Sequence, residues 1–592
     1  MAVRGDFTAD RRLLALSVLG IGIGGLCAFL AAALLRLIAL FTNLFFFQRL
    51  SFADARPAAH TLGPWAIVVP VIGGLIIGLM ARFGSEKIRG HGIPEALEAI
   101  LIGRSRMEPK LAVLKPLSSA ISIGSGGPFG AEGPIIMTGG AVGSLIAQTF
   151  QFSAAERKTL LVAGAAGGMS ATFATPVAAV LLAVELLLFE WKPRSFIPVA
   201  LASATAAALR PMLLGHGPLF PLPAHAHIDG AGLAACVGVG VACGVLSALL
   251  TRAVYAAEDA FQRLPVHWMW WPALGGLAVG IGGLIEPRAL GVGYDVIGDL
   301  VRGAMPAGPM VRLLVVKAVI WSIALGSGTS GGVLAPLLMM GAAAGLLLAP
   351  ILPAGGAAWW PLVGLSAILS GTMRCPLTAV VFALELTQQV DALLPLLIAC
   401  AAAYAVTVLV MPRSILTEKV ARRGHHLSRE YSVDPLETLL VSQVMSHPVQ
   451  TVQATLPVAE LEARHFDPRL GRHQGYPVVT ASGRLVGVVT RSELLDLPPP
   501  EELGRIVVAS LLGREPVVAH PDESCRAVAE RMAKEGVGRL PVVSDKAPHA
   551  VIGIVTRSDL LKARERQLEI EQRRENLIRL PAPELWRPFS RE

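Results

Sequence analysis

Gly124-Ser125-Gly126-Gly127-Pro128-Phe129-Gly130-Ala131-Glu132-Gly133-Pro134 is the stretch on which the fold turns, because its frame is used twice. Gly326-Ser327-Gly328 is followed by Pro336 at the same start-to-proline spacing, 202 residues further on. A longer pair keeps the same order at nearly the same offset. Pro176-Val177-Ala178-Ala179-Val180-Leu181-Leu182-Ala183-Val184-Glu185 returns 200 residues later as Pro376-Leu377-Thr378-Ala379-Val380-Val381-Phe382-Ala383-Leu384-Glu385. Two ordered matches argue for one duplicated unit rather than for chance likeness among Gly-, Ala- and Leu-rich segments.

The solvent of that unit follows from composition. Of 592 residues, 53% are hydrophobic and 16% charged, too apolar for a soluble chain of this length. Leu13 to Gln48 carries one charge, Arg36, and Leu62 to Ala81 carries none; each reaches the roughly 20 residues that cross a bilayer core. The first run is too long for a cleaved signal peptide. The net charge of +8 is not the footprint of a nucleic-acid partner. Arg11, Arg12, Arg157, Lys158, Lys192, Arg194, Arg413, Lys419, Arg422 and Arg423 border apolar runs, as charges at cytoplasmic membrane ends do. Six cysteines without CxxC or Cys/His spacing imply neither a disulfide framework nor a metal site.

Apolar segments continue from Leu13 to about Val410, and Gly and Pro interrupt many of them, as in tilted or half-spanning helices. The expected fold class is an α-helical polytopic membrane protein with duplicated, inverted-repeat halves and broken helices, followed by an α/β tail. The boundaries read as an N-terminal segment 1–12, a membrane domain 13–425 with halves at about 60–215 and 230–425, a linker 426–439, tail modules 440–498 and 505–563, and a charged end 564–592. The tail is itself a tandem pair: Gly487-Val488-Val489-Thr490-Arg491-Ser492-Glu493 recurs as Gly553-Ile554-Val555-Thr556-Arg557-Ser558-Asp559.

Three glycine-rich, proline-bounded loops carry the chemistry: Gly90 to Pro94, Gly124 to Pro134 and Gly326 to Pro336. Each leads into an apolar stretch, so backbone N–H groups at helix starts converge inside the membrane and favour an anion without a full buried positive charge. Glu132 is costly in such a setting unless it is protonated or satisfied by donors, so its carboxylate can occupy an anion position and leave on protonation. It also suits the start of the following helix as a cap, a role compatible with gating. A hydrolase built on Ser125 or Ser327 with His91 has no recognised nucleophile context, so no catalytic or metal residue is assigned.

These motifs resemble the chloride-channel (CLC) family. Gly90-His91-Gly92-Ile93-Pro94 is similar to its GSGIP motif, Gly130 to Pro134 to G(K/R)EGP, and Gly332-Val333-Leu334-Ala335-Pro336 to GxFxP; Ser414 to Gly424 resembles the family's last membrane helix. The resemblance implies a homodimer with one anion pathway per subunit, Glu132 as the gating glutamate, and anion contacts from His91, Gly92, Ile93, Pro94, Gly130, Gly133, Val333, Leu334 and Leu416. Departures from the family pattern bear on mechanism. His91 replaces a serine; protonation near pH ~6.5 would make the pathway pH-sensitive, whereas a neutral ring would merely fill the serine's place. Leu416 replaces a tyrosine, Leu334 a phenylalanine, and Ala131 a basic residue. Glu185 matches the first of two acidic positions in the family's exchangers, but Leu186 stands at the proton-transfer glutamate and cannot relay a proton.

The tail resembles a pair of CBS modules, which implies adenine-nucleotide contacts from Thr490, Glu493, Thr556 and Asp559; packing and dimerisation alone is the other reading. The expected function is transport of chloride or another small anion, as a glutamate-gated channel regulated by the CBS pair, with no required cofactor and no enzymatic step. The alternative is a chloride/proton antiporter with an unusual proton route. A CBS-regulated cation carrier is more remote, since it would need several intramembrane carboxylates converging on one site. The expected location is a cell inner membrane, with the N-terminus and CBS pair cytoplasmic.

Overall fold

A computed structural model describes residues 11–150, 152–222, 228–353, 359–424, 436, 439–466, 473–494, 506–544 and 550–572. The expected N-terminal segment 1–12, linker 426–439 and charged end 564–592 lie largely outside the described residues. The chain forms two compact units, Met1–Arg429 and Glu430–Glu592.

The first unit is helical: α1 (Arg12–Phe47), α2 (Val68–Phe83), α3 (Ile93–Leu101), α4 (Pro109–Gly124), α5 (Glu132–Thr149), α6 (Ala154–Phe173), α7 (Pro176–Leu182) and α8 (Pro193–Leu214) are followed by α9 (Gly230–Gln262), α10 (Trp271–Ile285), α11 (Tyr294–Val301), α12 (Ala307–Gly326), α13 (Leu334–Leu348), α14 (Trp359–Met373), α15 (Pro376–Thr387), α16 (Leu393–Val410) and α17 (Ile415–Arg422). Among the described residues, eight helical segments are long and apolar enough to cross a membrane. Proline opens α4, α7, α8 and α15, where its missing N–H and fixed φ are compatible with a first helical turn.

The duplication takes in α1, so the first repeat begins near residue 12 and not near 60. It comprises α1–α8, the second α9–α16, and α17 is left over. Contacts repeat side chain by side chain. Cys27 Sγ lies 3.3 Å from the Gly164 carbonyl, and Cys243 Sγ lies 3.7 Å from that of Gly364. A methyl group on Gly24 would meet the Ala202 carbonyl, and one on Gly240 the Ala399 carbonyl. Ser170 donates to the Ser203 carbonyl as Ser370 does to that of Cys400, both at 2.8 Å. The α1/α9 match is invisible by eye because only packing positions are shared, whereas the glycine loops must keep their backbone geometry.

Reciprocal contacts relate the halves by an approximate two-fold axis. Gly130 N–H donates to the Gly332 carbonyl at 3.2 Å, and Gly332 N–H returns to the Gly130 carbonyl at 2.9 Å. Glu185 accepts from the N–H groups of Leu377 and Thr378 at the start of α15, while Glu385 accepts from those of Val177 and Ala178 at the start of α7. Each carboxylate thus satisfies helix-start donors of the opposite half. The symmetry is broken after α7, which continues as a π-helical turn, Ala183–Leu188, where α15 runs on as a regular helix.

The second unit holds strands β1 (Val452–Gln453), β2 (Gly475–Val479) and β3 (Leu485–Thr490) in one sheet, and β4 (Arg539–Val543) with β5 (Val551–Thr556) in another. β2 pairs antiparallel with β3, and β4 with β5, so the tandem sequence match becomes two equivalent hairpins. Replacing Glu185 or Glu385 by Ala is expected to destabilise the membrane domain by about 1–3 kcal/mol each, since helix-start donors lose their acceptor. Thermal unfolding in detergent checks this; midpoints equal to wild type would mean the donors are satisfied otherwise.

Candidate anion site

Helix starts from both repeats meet at Glu132. The residue opens α5 and is fully buried. Its Oε1 accepts from the Ala335 N–H at 2.8 Å, in the first turn of α13, and its Oε2 has no hydrogen-bond partner among the described residues. The carboxylate folds back over Gly130 and lies beside Gly332. A methyl group on Gly130 would come within 1.9 Å of Oε2, and one on Gly332 within 2.5 Å. Both positions therefore need glycine if the carboxylate is to sit there.

The start of α3 interlocks with this arrangement. A methyl group on Gly133 would fall 1.9 Å from the His91 carbonyl oxygen, so the GHGIP loop and the start of α5 are in backbone contact. Gly92 has φ +88°, a conformation that glycine adopts without strain. Its N–H donates to Glu95 Oε2 at 3.0 Å. Glu95 is held in turn by Lys419 of α17, with Nζ at 2.9 Å, and by Arg423 just beyond it, with Nη2 at 3.3 Å. His91 is buried and its Nδ1 has no partner, so the imidazole that stands for the family serine has a ring nitrogen uncommitted. Ile93 and Pro94 open α3, and Val333 and Leu334 stand at the start of α13, all four buried. Leu416 is buried in the first turn of α17, next to Ile415, whose carbonyl accepts from Tyr255 Oη.

Sequence reasoning overlooked two lysines. Lys115 Nζ donates to the carbonyls of Ile88 and Gly90 at 2.8 and 2.7 Å and to Ser330 Oγ at 3.1 Å; Lys317 Nζ donates to those of Ala289 and Gly291 at 2.8 and 2.9 Å. Both are fully buried. Each ties down the loop ahead of a re-entrant helix, α3 or α11. The signal was present: each lysine stands nine residues before the glycine that ends its helix, Gly124 or Gly326. Ala131 leaves the place beside the carboxylate without a side-chain charge. Tyr294, which opens α11, likewise went unnoticed; its ring packs against those of Phe173 and Phe220.

Glu185 and Leu186 lie on the π-helical turn after α7. Glu185 is committed to α15, accepting from Thr378 N–H at 2.8 Å and Thr378 Oγ1 at 2.6 Å, and Leu186 is fully buried. In the tail, Asp559 accepts from the N–H and hydroxyl of Thr556 at 2.9 and 2.7 Å, and Glu493 makes the same pair of bonds to Thr490. Thr490 and Glu493 line a cleft of about 390 Å³ with Arg491, Arg514 and Arg539; Thr556 and Asp559 are not among its lining residues.

Residues 72–408 match the family model described as voltage gated chloride channel. The chain belongs to that family. Two further matches, at 441–499 and 508–566, are CBS domains. Among curated relatives of this CLC chain, a putative chloride channel protein ClcB-like of Ralstonia nicotianae is 30% identical, over 62% of this chain and 87% of its own. An H(+)/Cl(-) exchange transporter ClcA of Salmonella arizonae is 27% identical, over 58% and 75%. In fold, the CLC chain is similar to a slow cyanobacterial Cl-/H+ antiporter, with a TM-score of 0.61 at 21% identity over 70% of this chain and 99% of the other. A eukaryotic CLC transporter has a TM-score of 0.57 at 19% identity over 93% and 98%.

The contact between Gly130 and the carboxylate gives a direct test. Gly130→Ala is expected to expel the Glu132 side chain, so that anion flux of the variant equals that of Glu132→Ala and the double variant adds nothing. Flux unchanged from wild type would place the carboxylate elsewhere.

Proposed function

We propose that this CLC chain moves chloride or another small anion across a membrane, as a homodimer with a pathway in each subunit, and that Glu132 is its gate. The observation that carries the reading is the carboxylate at the start of α13: one oxygen is held by the Ala335 N–H and the other is unpartnered. An acidic oxygen at a helix start, between buried glycines, stands where a permeant anion would be held. Its departure on protonation would open that place. Inner-membrane location, with the N-terminus and CBS domains cytoplasmic, fits the charges that border the apolar runs.

Between the two transport modes, the residues favour passive conduction. Leu186 is apolar and buried, and Glu185 is engaged with Thr378 in the opposite half, so neither offers a carboxylate free to carry protons inward. The second reading, proton-coupled exchange, is favoured by the printed names of the Salmonella arizonae relative and the cyanobacterial structure. Purified protein in liposomes, with chloride and protons recorded together, separates them. Chloride flux that does not drive protons uphill, and that rises on Glu132→Ala, is the expected result. Stoichiometric proton movement abolished by Glu132→Ala would establish exchange, and absence of anion flux would overturn the proposal.

For the tail, the cleft beside Thr490 and Glu493 suits an adenine nucleotide, with the Arg539 guanidinium, which makes no hydrogen bond or ion pair among the described residues, as the phosphate contact. Titration of full-length protein with ATP is expected to show saturable binding, weakened roughly tenfold in Arg539→Ala, as loss of ~1.4 kcal/mol would do. Equal binding by both proteins would remove Arg539 from the site.

A further inference from the structure

Among the described residues α17 has no counterpart in the first repeat, and a cavity lies in the corresponding corner. In the second repeat α17 fills the corner between the C-terminal ends of α9, α14 and α16 and the start of α3. Tyr255 Oη donates to the Ile415 carbonyl at 2.5 Å, Arg422 pairs with Asp259, and Lys419 pairs with Glu95. The equivalent corner of the first repeat lies between the C-terminal ends of α1, α6 and α8 and the start of α11. A cavity of about 430 Å³ occupies it, lined by Leu35, Arg36, Ile38, Thr172, Arg210 and Tyr294 among others.

The cavity walls carry four arginines against two carboxylates, Asp54 and Asp295. Of its four arginines, Arg56 pairs with Asp295, a wall residue, and Arg288 with Asp299. Arg36 and Arg210 have no carboxylate partner among the described residues. Arg210 is 7% exposed; one of its nitrogens donates to the Gly215 carbonyl at 2.8 Å, while its Nε is buried without a partner. Arg36 is the one charge in the long apolar run of α1 and stands eleven residues before its end, about 16 Å along the axis. Its counterpart in the second repeat, Arg252, donates to the Val410 carbonyl at 3.4 Å. Arg36 makes no such bond. The buried Arg210 Nε, left without an acceptor, is costly unless an anion meets it, and Arg36 adds a second cation to the same wall. Leu35, Ile38, Leu214, Leu219 and Leu290 supply an apolar wall beside them.

We propose that this cavity binds an anionic amphiphile, with a phosphate or carboxylate head on Arg36 and Arg210 and an acyl chain along the leucine wall. A basic pocket between membrane helices is suited to such a head group. Binding there does not depend on the transport mode.

The test uses full-length protein in detergent, with phosphatidylglycerol as the bilayer source and octanoate as the soluble source. Native mass spectrometry counts retained lipid, and thermal unfolding reads stabilisation by either probe. Arg36→Gln changes an exposed side chain of α1 and leaves folding intact, whereas Arg210→Gln removes a buried donor and serves as the second variant. Wild type is expected to retain phosphatidylglycerol about fivefold better than Arg36→Gln, the change that ~1 kcal/mol per basic residue gives. Stabilisation by octanoate alone, lost in Arg36→Gln, would support the same site with a soluble carboxylate as its ligand. Retention and stabilisation identical in wild type and Arg36→Gln, or absent from both, would overturn the proposal.

Discussion

A helix that stops inside a bilayer leaves N–H groups which lipid cannot satisfy, so every break must be met by other parts of the protein. Most of this membrane unit can be read as the answer to that requirement. Glu185 and Glu385 serve the starts of each other's neighbouring helices across the two-fold relation. Lys115 and Lys317 hold the carbonyls of the loops that precede α3 and α11. At the centre, Gly130 and Gly332 exchange backbone bonds, and the Glu132 carboxylate takes up the first-turn donor of α13.

Because those donors face inward, the site has positive potential without a cation in contact with it. The helix starts therefore remain as donors even where Ala131 stands in place of the basic residue of the family pattern. The same arrangement explains why glycine recurs at Gly130, Gly133 and Gly332, where any side chain would displace either the carboxylate or the His91 carbonyl.

The duplication is close in packing and unequal in chemistry. The π-helical turn that carries Leu186 has no equivalent in α15, and among the described residues α17 has no equivalent in the first repeat. These departures from symmetry fall where function is expected to differ between the two membrane faces: one corner is filled by a charged helix, and the other is a cavity lined by arginines. A symmetric frame supplies stability to both halves, and unmatched elements distinguish them.

Glycine and proline at fixed spacing were legible in the sequence because a backbone geometry without side chains leaves few alternatives. The repeat loops, Glu132 and the tandem tail could therefore be read directly, and with them the fold class. The membership of α1 in the repeat could not, since helices packed through small residues share shape more than letters. Nor could the roles of Lys115, Lys317 and Tyr294. Each stands in an apolar helix, and what it touches belongs to another element, up to 215 residues away in the case of Lys115 and Ser330. By itself, then, the sequence determined the solvent, the duplication and the candidate gate, all of which are local constraints on backbone and hydropathy. Which donor meets which carboxylate, and which corner is left open, was decided by tertiary structure alone, because these depend on how the two halves turn toward each other.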